Sequence, residues 1–322
     1  MLLEVQHDTH YDYGAPVTLA HHLAYLQPLQ DEHQQLLGHE LSIGPAADWQ
    51  RAGHDARGNA CCWFGLAQAH DALHVTAISR VRLQPRFAAL QADASPPWDE
   101  LAQQLRYVAR APYDTAVEFA QPSPYVPRLP ELAAYAAPTL QPGRPVAQAA
   151  IELMQRFHDD FEYRSASTQI DTPLAQAFAQ KRGVCQDFAH LMAGALRMHG
   201  LPVRYVSGYL LTQPVEADTD DAQSSGPEGA NHPPALLGAN HQPALLGADA
   251  SHAWVQVYCP RTPGVPADGW LDLDPTNNLI PGDGHVRVAV GRDFGDVTPL
   301  RGVIRGGGPH GLTVAVRTRR LD

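Results

Sequence analysis

The stretch from Gln180 to Gly200 constrains the fold more than any other part of the chain. Phe188, Leu191, Met192, Ala195 and Leu196 fall at i, i+3, i+4, i+7 and i+8, one apolar face of an amphipathic helix. Gly200 supplies a stop and Pro202 prevents continuation. The helix therefore starts near Cys185, directly after Gly183. A cysteine at that point meets unpaired backbone N–H groups and the positive end of the helix dipole, which favour a thiolate. The same amides can hold the oxyanion of a tetrahedral intermediate. An arbitrary cysteine is more often inert core filling, so the position acquires meaning only with a base beside it.

Two later segments offer one. His252 to Tyr258 alternates as a strand with His252, Trp254, Gln256 and Tyr258 on one face, and Gly269 to Pro275 as another with Trp270, Asp272 and Asp274 on one face. The turn-rich run Pro260 to Gly269 joins them. If the strands pair antiparallel with 252 opposite 274, the two Cβ atoms lie roughly 5 Å apart and the carboxylate can orient the imidazole. A register shifted by two brings Asp272 to His252 instead. Asp274 is preferred because Pro275 ends the strand there. A lone strand histidine is more often structural; the combination of helix-start Cys, strand His and adjacent Asp is what suits acyl transfer.

The rest of the chain divides around this core. Residues 1–95 read as β-rich, with short strands separated by turn signals at Tyr13–Pro16, Ile43–Pro45 and Asp55–Asn59, which suggests a small sandwich or barrel. In the run Leu73–Leu83 the odd positions are mostly apolar, which suits a strand with one buried face. Residues 96–145 form a helical and Pro-rich connection with a helix from Trp98 to Arg110. The core spans 146–300, opens with a helix from Val146 to Asp159, and carries an inserted loop at 213–250. Within that loop 231–239 is nearly repeated as 240–248, with His232 and His241 as loop residues. Residues 301–322 are a tail or strand, with a solvated Arg-rich end at Arg317–Arg320.

Net charge of −11 argues against a nucleic-acid surface or docking on an anionic membrane. No run of roughly 18 apolar residues occurs, and Glu4 and Asp8 interrupt the first segment, so the expected location is the cytoplasm. Cys61, Cys62, Cys185 and Cys259 make no disulfide framework in a chain of 322 residues and have no metal-ligand spacing. Despite 17 histidines there is no His-Glu-x-x-His pattern, so metal-dependent hydrolysis ranks last.

Gly183-Val184-Cys185-Gln186-Asp187-Phe188-Ala189-His190, Arg204-Tyr205-Val206-Ser207-Gly208-Tyr209, Ala250-Ser251-His252-Ala253-Trp254 and Asp274-Pro275-Thr276-Asn277 resemble the bacterial transglutaminase-like family, whose members are often described as cysteine proteases. The resemblance runs over nearly the whole chain, to Val288–Asp293. It implies an α+β fold, a papain-like transglutaminase core with the nucleophile helix packed on an antiparallel sheet, preceded by a small β-sandwich-like domain. It implies Cys185 as nucleophile, His252 as base and Asp274 as orienting acid, no metal or other cofactor, and a protein or peptide amide as substrate. Tyr163, Gln186 and Asp187 are candidates for oxyanion contacts or support of the helix start, and Trp254 for a cleft wall. The competing class is a binding module that kept the fold without the chemistry.

Overall fold

The computed structural model describes residues 1–322 except 107, 111, 113, 166, 169, 212–245 and 247–250. The insertion expected at 213–250 and its repeat therefore lie, Leu246 apart, outside the described residues.

Among these residues the chain opens with β1 (Leu2–Ala24), β2 (Gln34–Gly44), β3 (Trp49–His54), β4 (Ala60–Leu66) and β5 (His70–Leu83). Next come α1 (Trp98–Gln104), α2 (Pro130–Ala136), α3 (Val146–Asp160), β6 (Glu162–Tyr163), α4 (Leu174–Gln180), β7 (Arg182–Gly183) and α5 (Cys185–Arg197). The chain closes with β8 (Val203–Leu210), β9 (His252–Tyr258), β10 (Trp270–Leu273), β11 (His285–Gly291), β12 (Leu300–Gly306) and β13 (His310–Arg320).

The N-terminal sheet is organised by β1. Its first half lies between β5 and β13 and its second half between β4 and β12. The expected turn at Tyr13–Pro16 is instead a bend within one strand, where the register with β5 jumps between Asp12 and Val17. Gly14 and Ala15 spend their amides on the carbonyls of Pro309 and Gly307, so the chain curls without reversing. A Cβ on Gly14 would sit 2.7 Å from the Pro309 oxygen, which explains the glycine at this contact. Curling folds the two halves over a small core of Val17, Phe64, Leu66, Leu73 and Val75. The stretch 301–322 is no tail: β12 and β13 complete this sheet, and Arg319 bonds Glu4 on β1.

The second sheet runs β10-β9-β8-β11, all antiparallel, and α5 packs on it. Every residue of α5 from Asp187 to Arg197 is buried. α5 packs against β8, β9, α2, α3 and α4, and Gly194 lets α2 and α4 approach. A Cβ on Gly194 would lie 2.8 Å from Leu132 of α2. Each Leu or Met fully buried on this helix contributes about 1.5–3 kcal/mol, so its position is strongly determined. α1 ends at Gln104, short of the Arg110 expected.

The two sheets share a core. Leu3 and Val5 of β1, Val81 and Leu83 of β5 and Val316 of β13 join the α3–α5 cluster. β11 is an outer strand whose free edge is covered by side-chain amides. Gln34 accepts from the Arg287 amide at 2.8 Å and donates to its carbonyl at 2.7 Å. Asn59 does the same for Val290, at 2.8 Å in both directions. These two residues satisfy backbone groups that would otherwise invite a further strand.

Candidate active site

Cys185 is the first residue of α5. Asp187 fixes this start: its Oδ2 accepts from the Val184 amide at 2.9 Å and from the Thr168 hydroxyl at 2.6 Å. A Cβ on Gly183 would lie 2.6 Å from the Asp187 side chain, so the approach needs a glycine there. Burial nonetheless raises the Asp187 carboxyl against the pull of these bonds. Cys185 is half-buried, whereas Cys61, Cys62 and Cys259 are buried, with thiols pushed up by desolvation. At the first turn the amides of Cys185 and Gln186 lack intrahelical acceptors.

His252 begins β9, opposite Gly208 of β8, and is 1% exposed. Its Nε2 donates to Asp274 Oδ2 at 2.9 Å. The buried Nδ1 has no partner at ordinary hydrogen-bond geometry, and the Cys185 side chain is close enough to act on the ring. Burial alone would depress the imidazole. The Asp274 charge and hydrogen bond, with Cys185, outweigh it and raise the ring to about 10.

Asp274 follows β10 and is fully buried. Oδ1 accepts from the amides of Thr276 (3.0 Å) and Asn277 (3.2 Å); Oδ2 accepts from His252, from Asn277 Nδ2 (2.9 Å) and from His285 Nε2 (3.1 Å). Desolvation opposes ionisation, but the two imidazoles hold the carboxyl well below the usual range. The Asn277 side chain also exchanges bonds with the backbone of Leu246, with its Oδ1 accepting from the Leu246 amide at 2.8 Å.

The pairing that produces this contact differs from the one expected. Asp272 lies opposite Gln256 and Leu273 opposite Val255, so the ladder is offset by two residues from 252 opposite 274. The carboxylate reaches His252 diagonally from just beyond the strand end. Asp272, the alternative partner, interacts with Gln256, with its carboxyl raised by burial.

The remaining candidates fall in different places. Tyr163 is half-buried on β6, its backbone opposite Gly183 on β7 and so beside the approach to Cys185. The Gln186 side chain donates through Nε2 to the Ile170 carbonyl at 3.2 Å, which ties the helix start to the preceding loop. Trp254 is completely buried between the two imidazoles, 6.0 Å from His252 and 5.3 Å from His285. It is packing beneath the site and not a cleft wall, because the absent side chain of Gly208 opens a slot for its ring. Sequence reasoning missed His285 altogether, and Tyr205, which is buried 5.0 Å from His190 and raised by burial and by the Cys185 charge.

His252 Nε2, Asp274 Oδ2 and His285 Nε2 lie within 4.8 Å of one another and are the one group among the described residues able to converge on a cation. Three N–H donors, two imidazoles and the Asn277 amide, already satisfy the shared oxygen at hydrogen-bond distance, so the cluster is complete as a proton network. A cavity of about 850 Å³ lies at the other end of α5 beside Trp98, Arg128, Arg197 and His199.

Comparison with known proteins bears on the family and the fold. Residues 3–82 match the family model of the bacterial transglutaminase-like N-terminal region, and residues 133–275 that of the transglutaminase-like superfamily. An uncharacterized protein of Mycobacterium tuberculosis is 34% identical over 305 residues, 93% of this chain and 86% of its own. One from Mycobacterium leprae is 30% identical over 322 residues, 99% of both chains. The crystal structure of a candidate cysteine protease from Cytophaga hutchinsonii superposes with a TM-score of 0.68 at 19% identity, covering 100% of this chain and 91% of that one, a likeness of fold.

Proposed function

From the premise that this chain belongs to the transglutaminase-like superfamily, we propose that it is a cysteine-nucleophile enzyme that forms a thioester from an amide substrate. In this reading the Cys185 thiolate attacks the carbonyl carbon while the first-turn amides of α5 receive the oxyanion. His252 then passes its proton to the leaving amine through Nδ1, and Asp274 fixes the ring by holding Nε2. Water or an amine completes the cycle by attacking the thioester. Hydrolysis is preferred over transfer because water needs no second binding site, and a peptide or protein amide is the substrate class.

The observation that carries the reading is the single half-exposed thiol at a helix start beside a buried imidazole whose Nε2 is held by a carboxylate. The four unpaired cysteines fit a reducing cytoplasm. No helix among the described residues is long and apolar enough to cross a membrane.

An activated acyl ester such as p-nitrophenyl acetate tests the reading without knowledge of the natural substrate. Mass spectrometry should find an acetyl thioester on Cys185 and none on Cys61, Cys62 or Cys259, and Cys185→Ala should abolish the burst of p-nitrophenol. A wild-type protein that forms no adduct at Cys185 would favour the binding-module alternative.

A further inference from the structure

We propose that His285 is a positioning residue of this site: it shares Asp274 Oδ2 with His252 and so limits how tightly His252 holds its proton. The inference rests on the reading of Cys185, His252 and Asp274 as the reacting set. Its own support is geometric. His285, 5% exposed, opens β11 and donates Nε2–H to the oxygen that receives His252 Nε2–H, at 3.1 and 2.9 Å. With Asn277 Nδ2 the same oxygen takes three donors. Trp254 meets the His285 ring edge-on at 86° and lies nearly parallel to His252 at 26°, which keeps the two imidazoles 6.2 Å apart.

His285 is also held from behind. It borders a cavity of about 10 Å³ together with His33, Gln34, Arg86, Asp272 and Arg287. Gln34 clamps the backbone of Arg287 two residues along β11, and Asp31 bonds both Arg287 and Arg86. The titratable groups facing His285 are His252 from β9, Asp272 and Asp274 from β10 and its end, Arg287 from its own strand, Arg86 from after β5, and His33 from before β2. None but Asp274 offers it a hydrogen-bond acceptor at bonding distance among the described contacts.

An N–H donor to a carboxylate oxygen draws off part of its charge. Remove that donor and Oδ2 pulls harder on the His252 proton. The imidazolium then persists to higher pH and becomes a weaker acid toward the leaving group. His285 thus tempers a base that its buried carboxylate would otherwise keep protonated.

The test is the rate of Cys185 alkylation by iodoacetamide against pH, read by mass spectrometry. A thiolate–imidazolium pair gives a plateau with an acid and an alkaline limb. In His285→Phe, which keeps a ring against Trp254, and in the smaller His285→Leu, the alkaline limb should move up by roughly half a unit to one unit, as expected for one lost bond to a charged group. His285→Gln, which keeps an N–H donor, should restore the wild-type limb. A wild-type plateau that neither Phe nor Leu moves, that moves down, or that Gln displaces equally would overturn the role given to His285 alone. A wild type without a plateau would sink the thiol–imidazole reading beneath it. Proton NMR of the unmodified protein gives an independent check: two exchange-protected imidazole N–H signals should appear downfield, and finding only one would also overturn the proposal.

Discussion

Replacing Asp274 by Asn tests the site most directly, because the replacement is isosteric and the carboxylate's partners among the described residues are defined. Five donors converge on the carboxylate: two backbone amides on Oδ1, and His252, His285 and Asn277 on Oδ2. An amide has one acceptor oxygen and a donor nitrogen. With the nitrogen in the Oδ1 place it faces two N–H groups that cannot turn away. With the nitrogen in the Oδ2 place, His252 must switch tautomer so that Nε2 accepts, which puts the proton on Nδ1 where the base is needed. Either choice removes the charge that raises the imidazole against its burial. Unpairing a buried charge network costs about 3–5 kcal/mol, and the tautomer fault costs about four orders of magnitude in turnover where it has been isolated in a serine protease. An unassisted thiol is only about 3% ionised at pH 7. Alkylation of Cys185 by iodoacetamide should therefore slow up to about thirty-fold in Asp274→Asn, with a lower melting temperature. Asp272→Asn, which leaves the network intact, should do neither. Equal alkylation rates in wild type and Asp274→Asn at pH 7 would refute the role assigned to the carboxylate.

Gly208→Ala should cost about 1–3 kcal/mol or more in urea unfolding, since its Cβ would lie 2.2 Å from the Val286 carbonyl oxygen and 2.4 Å from the Trp254 ring; stability within about 0.5 kcal/mol of wild type would mean the slot is looser than described. Acid should unfold the protein through its buried histidines. Burial holds His7 and His22 down to about 4 and His190 to about 3, against about 6.5 in an unfolded chain. Below pH 6.5 the unfolded chain binds protons that the folded one refuses, so stability falls from there until these rings also titrate. Neither nitrogen of His22 has a partner, and its ring stacks on Phe64 at 5.0 Å, so His22→Phe should lessen the loss between pH 7 and pH 5 by about 2 kcal/mol. An unchanged urea midpoint profile across that range would place the acid sensitivity elsewhere.

What the sequence made legible is what short-range periodicity controls. The face of α5, its start at Cys185, the helix that became Val146–Asp160 and the alternating burial of β5 from Leu73 to Leu83 all follow from spacing within about twenty residues. The parity of His252 and Asp274 was equally readable, because side-chain alternation places both on one face. The register was not. It depends on how many residues of the Pro260–Gly269 connection are used before pairing resumes, and a shift of two preserves every parity. The long β1 was hidden by Gly14 and Pro16, whose turn signature is the same whether the chain reverses or bends. Pairing of β1 with β12 and β13 closes contacts across some three hundred residues and leaves no local signature.

His285 was invisible for a further reason: a single histidine at a strand start has no period and no motif, and its meaning comes only from the oxygen it reaches. β11, which carries His285 to that oxygen, pairs with β8 along one edge and is held along the other by residues of the N-terminal region. Gln34 and Asn59 each close both backbone hydrogen bonds of one β11 residue, which a water-exposed edge would leave to solvent. Side-chain amides do this without the lateral freedom of a paired strand, since each clamps a single residue and forbids slippage by two. The N-terminal region thus clamps the strand from which His285 reaches Asp274, and a transglutaminase-like core stripped of residues 1–95 would lose that clamp as well as a face of its hydrophobic core.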